Sequence, residues 1–288
     1  MTSVKKKQYY GLSANSLKLI ALLAMTIDHY AWVFIPRLSP LAAAMHFIGR
    51  LTAPIMCFFL VEGFTHTRSR WRYALRLGFF AVLSQTPFSL FFSGMLRYDH
   101  LNMLYTLFIC FLALWAWDTL PYYLLKLGAF FLLALASTLG DWGIHALLFV
   151  FTFYFFRGHL GMQAFALILI ALSNTFNGLG AYALLLFLPL WKSGRLFFRI
   201  LGGLILVAFS QSILNTIMTY PLYPLRWVLI PQIGILFSIP FLVYYRGRLG
   251  YSRLNLKWFF YLYYPSHLLI IYLLKLNTLF PGQLYYWP

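Results

Sequence analysis

Acidic residues are almost missing. Five Asp and Glu stand in 288 residues, and charged side chains of either sign make up 9% of the chain, against about 25% in an ordinary soluble domain. A water-soluble fold of this length needs a charged surface, and 22 basic plus 5 acidic residues cannot cover one. Cysteine is equally scarce: Cys57 and Cys110 each lie inside an apolar run, which excludes a disulfide scaffold. No CxxC, HExxH, GxSxG or Gly-rich phosphate loop occurs, and no Ser or Cys nucleophile triad is visible. The seven His are too scattered for their spacing to define a metal site, so no metal is expected. No low-complexity linker and no internal repeat of the inverted-repeat transporter kind stands out.

What is there is apolar surface. The apolar set supplies 62% of residues, aromatic rings 21%, and the mean hydropathy is +0.78. These values imply an all-α polytopic integral membrane protein, one domain over 1–288 with no room for a separate soluble unit. Eleven apolar segments are visible, at 17–36, 41–64, 74–92, 101–119, 121–139, 142–156, 160–173, 179–191, 196–214, 227–245 and 258–276. They predict about 11 transmembrane helices (10 to 11), separated by Pro and Gly in the connections. The basic start followed by an apolar run resembles a signal peptide, but Asp28 and His29 interrupt that run, so it reads as a retained first helix.

The net charge of +17 and a pI near 10 would suggest nucleic acid in a soluble protein. Here the cations sit between apolar segments, where they set topology and meet anionic groups. Seventeen of the 22 fall in alternate loops: Lys5–Lys7 and Lys18, then Arg68, Arg70, Arg72 and Arg76, then Lys126, Arg157, Lys192, Arg195 and Arg199, and finally Arg246, Arg248, Arg253 and Lys257. That alternation predicts a cytoplasmic N-terminus and an outer C-terminus, with the terminal LFPGQLYYWP at the outer aromatic belt.

An ionisable side chain at mid-membrane costs at least about 2.5–3.5 kcal/mol on insertion scales, so each one is a functional candidate. Lys18 and His29 are 11 residues apart and share one face of the first helix, with His29 about 16 Å deeper. A buried imidazole at that depth can serve as a general base. In the second segment, Arg50 is the expected partner of Asp28, Glu62 sits at the inner end, and His46 reads as interfacial. Asp141 reads either as a helix cap or as a functional acid. In the last segment Pro265 frees a carbonyl and places Tyr264 and His267 beside a local break. The arginine loop is either a positive-inside loop or a phosphate site, since guanidinium groups bind phosphate bidentately.

LKLIALLAMTIDHYAWVF, the HFIGRLTAPIMCFFLVEGFTHTR block, NMLYTLFICFLALWAW, DWGIHALLFVFTFYFF and KWFFYLYYPSHLLIIYLL together resemble the TraX family, integral-membrane proteins associated with N-terminal acetylation of conjugative pilin. The likeness is strong for 17–117 and the last helix and weak for 160–245. A more distant similarity is to the membrane acyltransferase-type-3 family, whose basic residue and His in the first helix correspond to Lys18 and His29. Its FF-x-x-SG block resembles FFLVEG at 58–63, with Glu62 in place of Ser.

The resemblance implies a membrane-embedded acetyltransferase with cytoplasmic acetyl-CoA as donor substrate. It implies His29 as the base, with Asp28 nearby and Arg50, Tyr264 or His267 as oxyanion donors. Arg68, Arg70, Arg72 and Arg76 would hold CoA phosphates, with Lys18, Glu62 and Lys257 at the same mouth. The acceptor would be the α-amine of a pilin-like protein at the outer face of a bacterial inner membrane, with transfer either direct or through acyl-His29. The alternatives are O-acetylation of a surface glycan, a proton-coupled transporter or flippase with Asp28, His29, Glu62 and Arg50 as relay, and a non-catalytic pilin assembly partner. Nucleic acid is not an expected partner.

Overall fold

The computed structural model describes residues 11–37, 39–175, 231–250 and 256–278, with positions 196, 199–200 and 202–203. Among the described residues the chain is helical, and pairing between extended segments is limited to two isolated bridges, Leu12 with Tyr245 and Leu101 with Gly140. The helices are α1 (Ala14–Phe34), α2 (Pro40–Gly49), α3 (Thr52–His66), α4 (Arg70–Ser93), α5 (Met103–Thr119), α6 (Tyr123–Ser137), α7 (Gly143–Phe155), α8 (Leu160–Thr175), α9 (Pro231–Val243) and α10 (Leu256–Thr278). The expected segment 179–191, the segment 196–214 apart from the five positions named above, residues 227–230, and the C-terminal LFPGQLYYWP lie outside the described residues.

Four stretches are long and apolar enough to cross a bilayer: α1, α2 with α3, α4 and α10. The other described helices are apolar and shorter. Large side chains such as Val82, Leu124, Leu132 and Leu135 are exposed along the flanks of α4 and α6. Such a surface suits lipid rather than water. The helix starts follow local chemistry. Ser13, Ser39, Ser69 and Asn102 each accept a first-turn N–H, which satisfies donors that the helix itself leaves open.

The segment expected as one helix at 41–64 is two. Pro54, in the first turn of α3, has no N–H to give the Arg50 carbonyl, and its ring crowds that carbonyl. The chain therefore breaks at Arg50 and Leu51, where Leu51 N–H turns back to Ile48. That break re-aims Arg50 relative to the rest of α2.

The core sits around α7. Every residue from Ala146 to Phe153 is buried, so this helix is apolar all round, as an enclosed helix must be. α3, α5, α6 and α8 pack on it, α1 lies against α2 and α3, and α10 runs between α1 and α4.

Helix ends gather into two poles. At one, Arg70 bonds Asp118 at 2.6 Å, Tyr154 donates to the same carboxylate at 2.9 Å, and Arg157 bonds Glu62 at 3.0 Å. The start of α1 also meets the chain after α9 there, Leu12 N–H bonding the Tyr244 carbonyl at 2.9 Å. At the opposite pole the end of α1 meets α2 and α10, Tyr264 of α10 bonds the start of α5, and the chain before α5 bonds the turn before α7.

Close approach of α1 and α2 depends on Gly49: a Cβ there would overlap the Asp28 side chain. Gly49→Ala is expected to lower stability by about 1–3 kcal/mol through overpacking. Gly128→Ala, where a Cβ meets nothing within 4 Å, should be neutral or slightly stabilising. Thermal unfolding of both variants in the same detergent checks this pair.

Candidate functional site: a histidine pair between two polar poles

α1 and α10 meet through polar groups in an otherwise apolar contact. Thr26 shares a hydrogen bond with the Tyr263 hydroxyl at 2.7 Å, and one helical turn further along α1, His29 Nδ1 lies 2.8 Å from His267 Nε2. Both imidazoles are buried. His267 Nδ1 lies 2.9 Å from the Tyr263 carbonyl.

The proton positions follow from the one group that cannot change role. A carbonyl oxygen only accepts, so His267 Nδ1 carries the hydrogen and donates it. In the neutral ring His267 Nε2 is then bare and accepts, which makes His29 Nδ1–H the donor. His29 Nε2 is therefore bare, and no described residue hydrogen-bonds to it. If this nitrogen takes a proton, every existing hydrogen bond is kept. His29 is thus wired as a proton acceptor at Nε2. His267 stacks between His29 and Tyr263, with rings 5.0 and 5.3 Å apart, while Phe91 and Phe92 flank His29.

Asp28 takes a different partner from the one expected. Its carboxylate binds His46 Nδ1 at 2.8 Å and accepts from Trp32 Nε1 at 3.2 Å. No ion pair joins it to Arg50. His46, expected at the interface, is buried. Turning α2 so that Gly49 faces α1 puts His46, one turn earlier, beside Asp28. Arg50, beyond the break, instead lays its guanidinium over the Trp142 ring at 5.0 Å.

Tyr264 is buried, and its hydroxyl accepts from Met103 N–H at 3.2 Å, at the start of α5. It keeps a proton to donate. A network missed in the sequence buttresses this corner. Asn102 donates to Gln85 at 2.8 Å and to the Ala81 carbonyl at 2.7 Å, and Gln85 donates to the His100 carbonyl at 2.9 Å. The signal was present as Gln85 and Ser89 spaced four apart inside an apolar helix. Asp141, a candidate cap, does not cap α7: the residue before that helix is Trp142, without a side-chain cap bond.

At the basic pole the expected phosphate cluster divides. Arg70 and Glu62 are committed to ion pairs, with Asp118 and Arg157 respectively. Arg70 also covers the Phe64 ring at 4.4 Å. Lys18 stands over the rings of Phe59 and Phe260, at 5.0 and 5.4 Å, with no carboxylate partner among the described residues. Arg68 and Arg72 are exposed. Arg76 lies over Tyr73, with its Nε enclosed and unpaired. Lys257 lies over Trp258. Lys18 and His29 are on one helix, about 16 Å apart along it.

Cys57 and Cys110 are free and buried. Among the described residues no three His, Cys, Asp or Glu side chains converge as a metal site.

The TraX protein family profile matches residues 13–275. A curated relative, described as probable fimbrial assembly protein FimC, serogroup H1, from Dichelobacter nodosus, is 31% identical over 271 residues, covering 90% of this chain and 94% of the relative. No solved structure matches. With the family pattern running through α1 to α10, the chain belongs to the TraX family.

Proposed function

We propose that the protein is a membrane-embedded acetyltransferase of a bacterial inner membrane. It would move acetyl from cytoplasmic acetyl-CoA to the N-terminal amine of a pilin-like protein at the outer face. The observation that carries this reading is the bare Nε2 of His29, fixed through His267 by the Tyr263 carbonyl. Family membership and the fimbrial-assembly description of the relative support the class of acceptor.

In this reading the basic pole is the cytoplasmic mouth. Lys18, Arg68, Arg72 and Arg76 receive the CoA phosphates, with Lys257 beside them. Arg70 and Glu62 hold the mouth together instead of binding the ligand. The pantetheine arm then passes along α1 toward His29, a span matching the inner half of an about 30 Å core. The acceptor ammonium gives one proton to His29 Nε2, and the freed lone pair forms the N–C bond to the thioester carbonyl carbon. The C–S bond breaks, the second N–H proton ends on the CoA thiolate, and the proton on His29 passes to water. An α-amine has a pKa of about 7.7–8.0 and needs only modest help from a base. The Tyr264 hydroxyl, held by Met103 N–H, would donate to the tetrahedral oxyanion. His267 acts through His29 and is a positioning residue.

His29→Ala is expected to abolish transfer from acetyl-CoA, a loss of about 10²–10⁴-fold for removal of a general base. His267→Ala should lower kcat and disturb its pH profile, and His267→Gln, whose amide oxygen can accept from His29 Nδ1–H, should recover part of the loss. Unchanged acetyl-CoA exchange in purified His29→Ala protein would overturn the reading.

The division of the arginines gives a second expectation. Arg76→Ala and Lys18→Ala should raise the KM for acetyl-CoA about 10-fold or more with little change in thermal stability. Arg70→Ala should instead lower stability, because it leaves Asp118 without its cation. Titration of acetyl-CoA and melting curves on the three variants separate these effects.

Orientation is testable because both native thiols are enclosed. In spheroplasts a membrane-impermeant maleimide should label Asp99→Cys directly and Thr65→Cys only after permeabilisation. The reverse pattern would invert the assigned topology.

A further inference from the structure

The pole beyond the histidine pair holds polar groups that the chain itself leaves unanswered. Arg50 Nε and His145 Nε2 are both enclosed, and neither has a hydrogen-bond partner. An enclosed donor without a partner costs about 1–3 kcal/mol, so such a group marks a place that something else completes. The Asp141 carboxylate is met by the neighbouring Trp142 N–H and by no side-chain hydrogen bond among the described residues, and its backbone is pinned on both sides. Its N–H donates to the Leu101 carbonyl at 2.8 Å, and its carbonyl accepts from Thr106 Oγ1 at 2.6 Å. Loss of surrounding water pushes this carboxyl up, the His100 ring and the Arg50 guanidinium pull it down, Asp28 pushes it up again, and the Trp142 N–H pulls it down. Trp142, the next residue, lies under the Arg50 guanidinium at 5.0 Å, which brings Asp141 and Arg50 to one corner.

The backbone here is strained in a particular way. Trp142 adopts a left-handed φ of 63°, which is costly for a bulky residue and persists only where the surroundings impose it. The strain holds the Trp142 ring under Arg50 at 5.0 Å while the chain turns from Asp141 into α7. Gly140 has no room for a Cβ because Thr106 fills that space, and Gly234 has none because the Phe47 carbonyl does. Three helices are thus drawn tightly around groups that do not bond one another.

The cluster also adjoins the reacting centre from two directions. Gly49, next to Arg50, abuts the Asp28 carboxylate, and Asp28 neighbours His29. Tyr264, three residues before His267, bonds Met103, and one turn along α5 Thr106 bonds Asp141.

We infer that Arg50, Asp141 and His145 form the subsite that reads the acceptor, and that the end group they fit is a primary ammonium next to an amide carbonyl. The Asp141 carboxylate takes an N–H of the ammonium. Arg50 Nε–H donates to the adjacent carbonyl oxygen, and His145 supplies a further ring nitrogen to the same backbone. A free polypeptide N-terminus has this pattern and a sugar hydroxyl does not. The inference rests on the acetyltransferase reading for its biological meaning, but it is tested by binding alone. These three residues belong to the acceptor and Lys18 with the arginines to the donor, so the two ends of one channel are read by different chemistry.

The test uses the full-length protein in lipid nanodiscs and a fluorescent, Ala/Leu-rich hexapeptide amide with a free α-amine, compared with its Nα-acetylated form and with N-acetylglucosamine as competitor. The free-amine peptide should bind at least 10-fold more tightly than the acetylated one, and the sugar should not displace it. Asp141→Asn should erase that preference, and Arg50→Gln should weaken both peptides. Arg50→Lys keeps the charge but not the guanidinium fork, and should also weaken both. Monodisperse elution of each variant guards against misfolding, and Asp141→Glu should restore part of the preference where Asn does not.

Equal binding of the two peptides, no binding of either, displacement by the sugar, or a preference that survives in Asp141→Asn would each overturn the subsite. Failure of the acetyltransferase reading looks different: the amine preference and its loss in Asp141→Asn persist, but acetyl-CoA neither binds nor transfers.

Discussion

The arrangement depends on a single carbonyl that can only accept. Tyr263 O fixes the hydrogen on His267 Nδ1, which leaves His267 Nε2 to accept from His29 and leaves His29 Nε2 bare. Neither tautomer is set by the imidazoles themselves. The direction of the relay is set by backbone geometry in α10, and so it is as rigid as that helix. This places a demand on the α1–α10 register. A slip of one residue turns a side chain by about 100° around the helix and would uncouple the two rings. The Thr26–Tyr263 bond, one turn away, holds the same register from a second point.

The two poles treat charge in opposite ways. At the basic pole both carboxylates, Glu62 and Asp118, are matched to arginines from elsewhere in the bundle, so the acidic residues there tie α3 to the turn after α7 and α5 to α4. What remains is a surplus of cations, which suits an anionic ligand arriving from water. At the far pole Asp28 is answered by His46 and Trp32, whereas Arg50 Nε and His145 Nε2 have no partner and Asp141 is met by the Trp142 N–H alone. Open polar groups in an enclosed, apolar setting are unfavourable unless a ligand completes them. The asymmetry therefore follows the direction of the proposed reaction: a highly charged donor at a wet mouth, and a small polar end group at a drier one.

Much of this was legible in the sequence where helical period alone decides the outcome. Lys18 and His29 share a face because eleven residues make about three turns, and the positions of the described helices follow the apolar runs. His267 was legible as a polar residue in an apolar run, but the break expected at Pro265 is absent, since the helix runs unbroken from Leu256 to Thr278. The partnerships across helices were harder to see. Asp28 was expected to meet Arg50, yet it meets His46, because the chain breaks after Gly49 and Pro54 withdraws the N–H that would have continued the helix. Arg70 read as one more member of an arginine run. Its commitment depends on Asp118, whose arrival at the same pole is a matter of helix packing. Asn102 and Gln85 were each visible as polar residues in apolar surroundings, but their mutual bond spans a loop whose path the sequence does not specify.

The small residues explain how two such different poles coexist in one bundle. Polar side chains a few ångströms apart on separate helices need backbones that come close, and in lipid close approach is made by residues without bulk. Gly49 admits Asp28, Gly140 admits Thr106, and Gly234 admits the Phe47 carbonyl, and all three lie at the far pole. At the basic pole Gly11, Gly63 and Gly250 also admit close neighbours, and long side chains, Arg70 to Asp118 and Arg157 to Glu62, add bridges between helix ends. Close approach at the far pole is thus made by glycine alone, and at the basic pole by glycine together with charged bridges, with the His29–His267 pair between them.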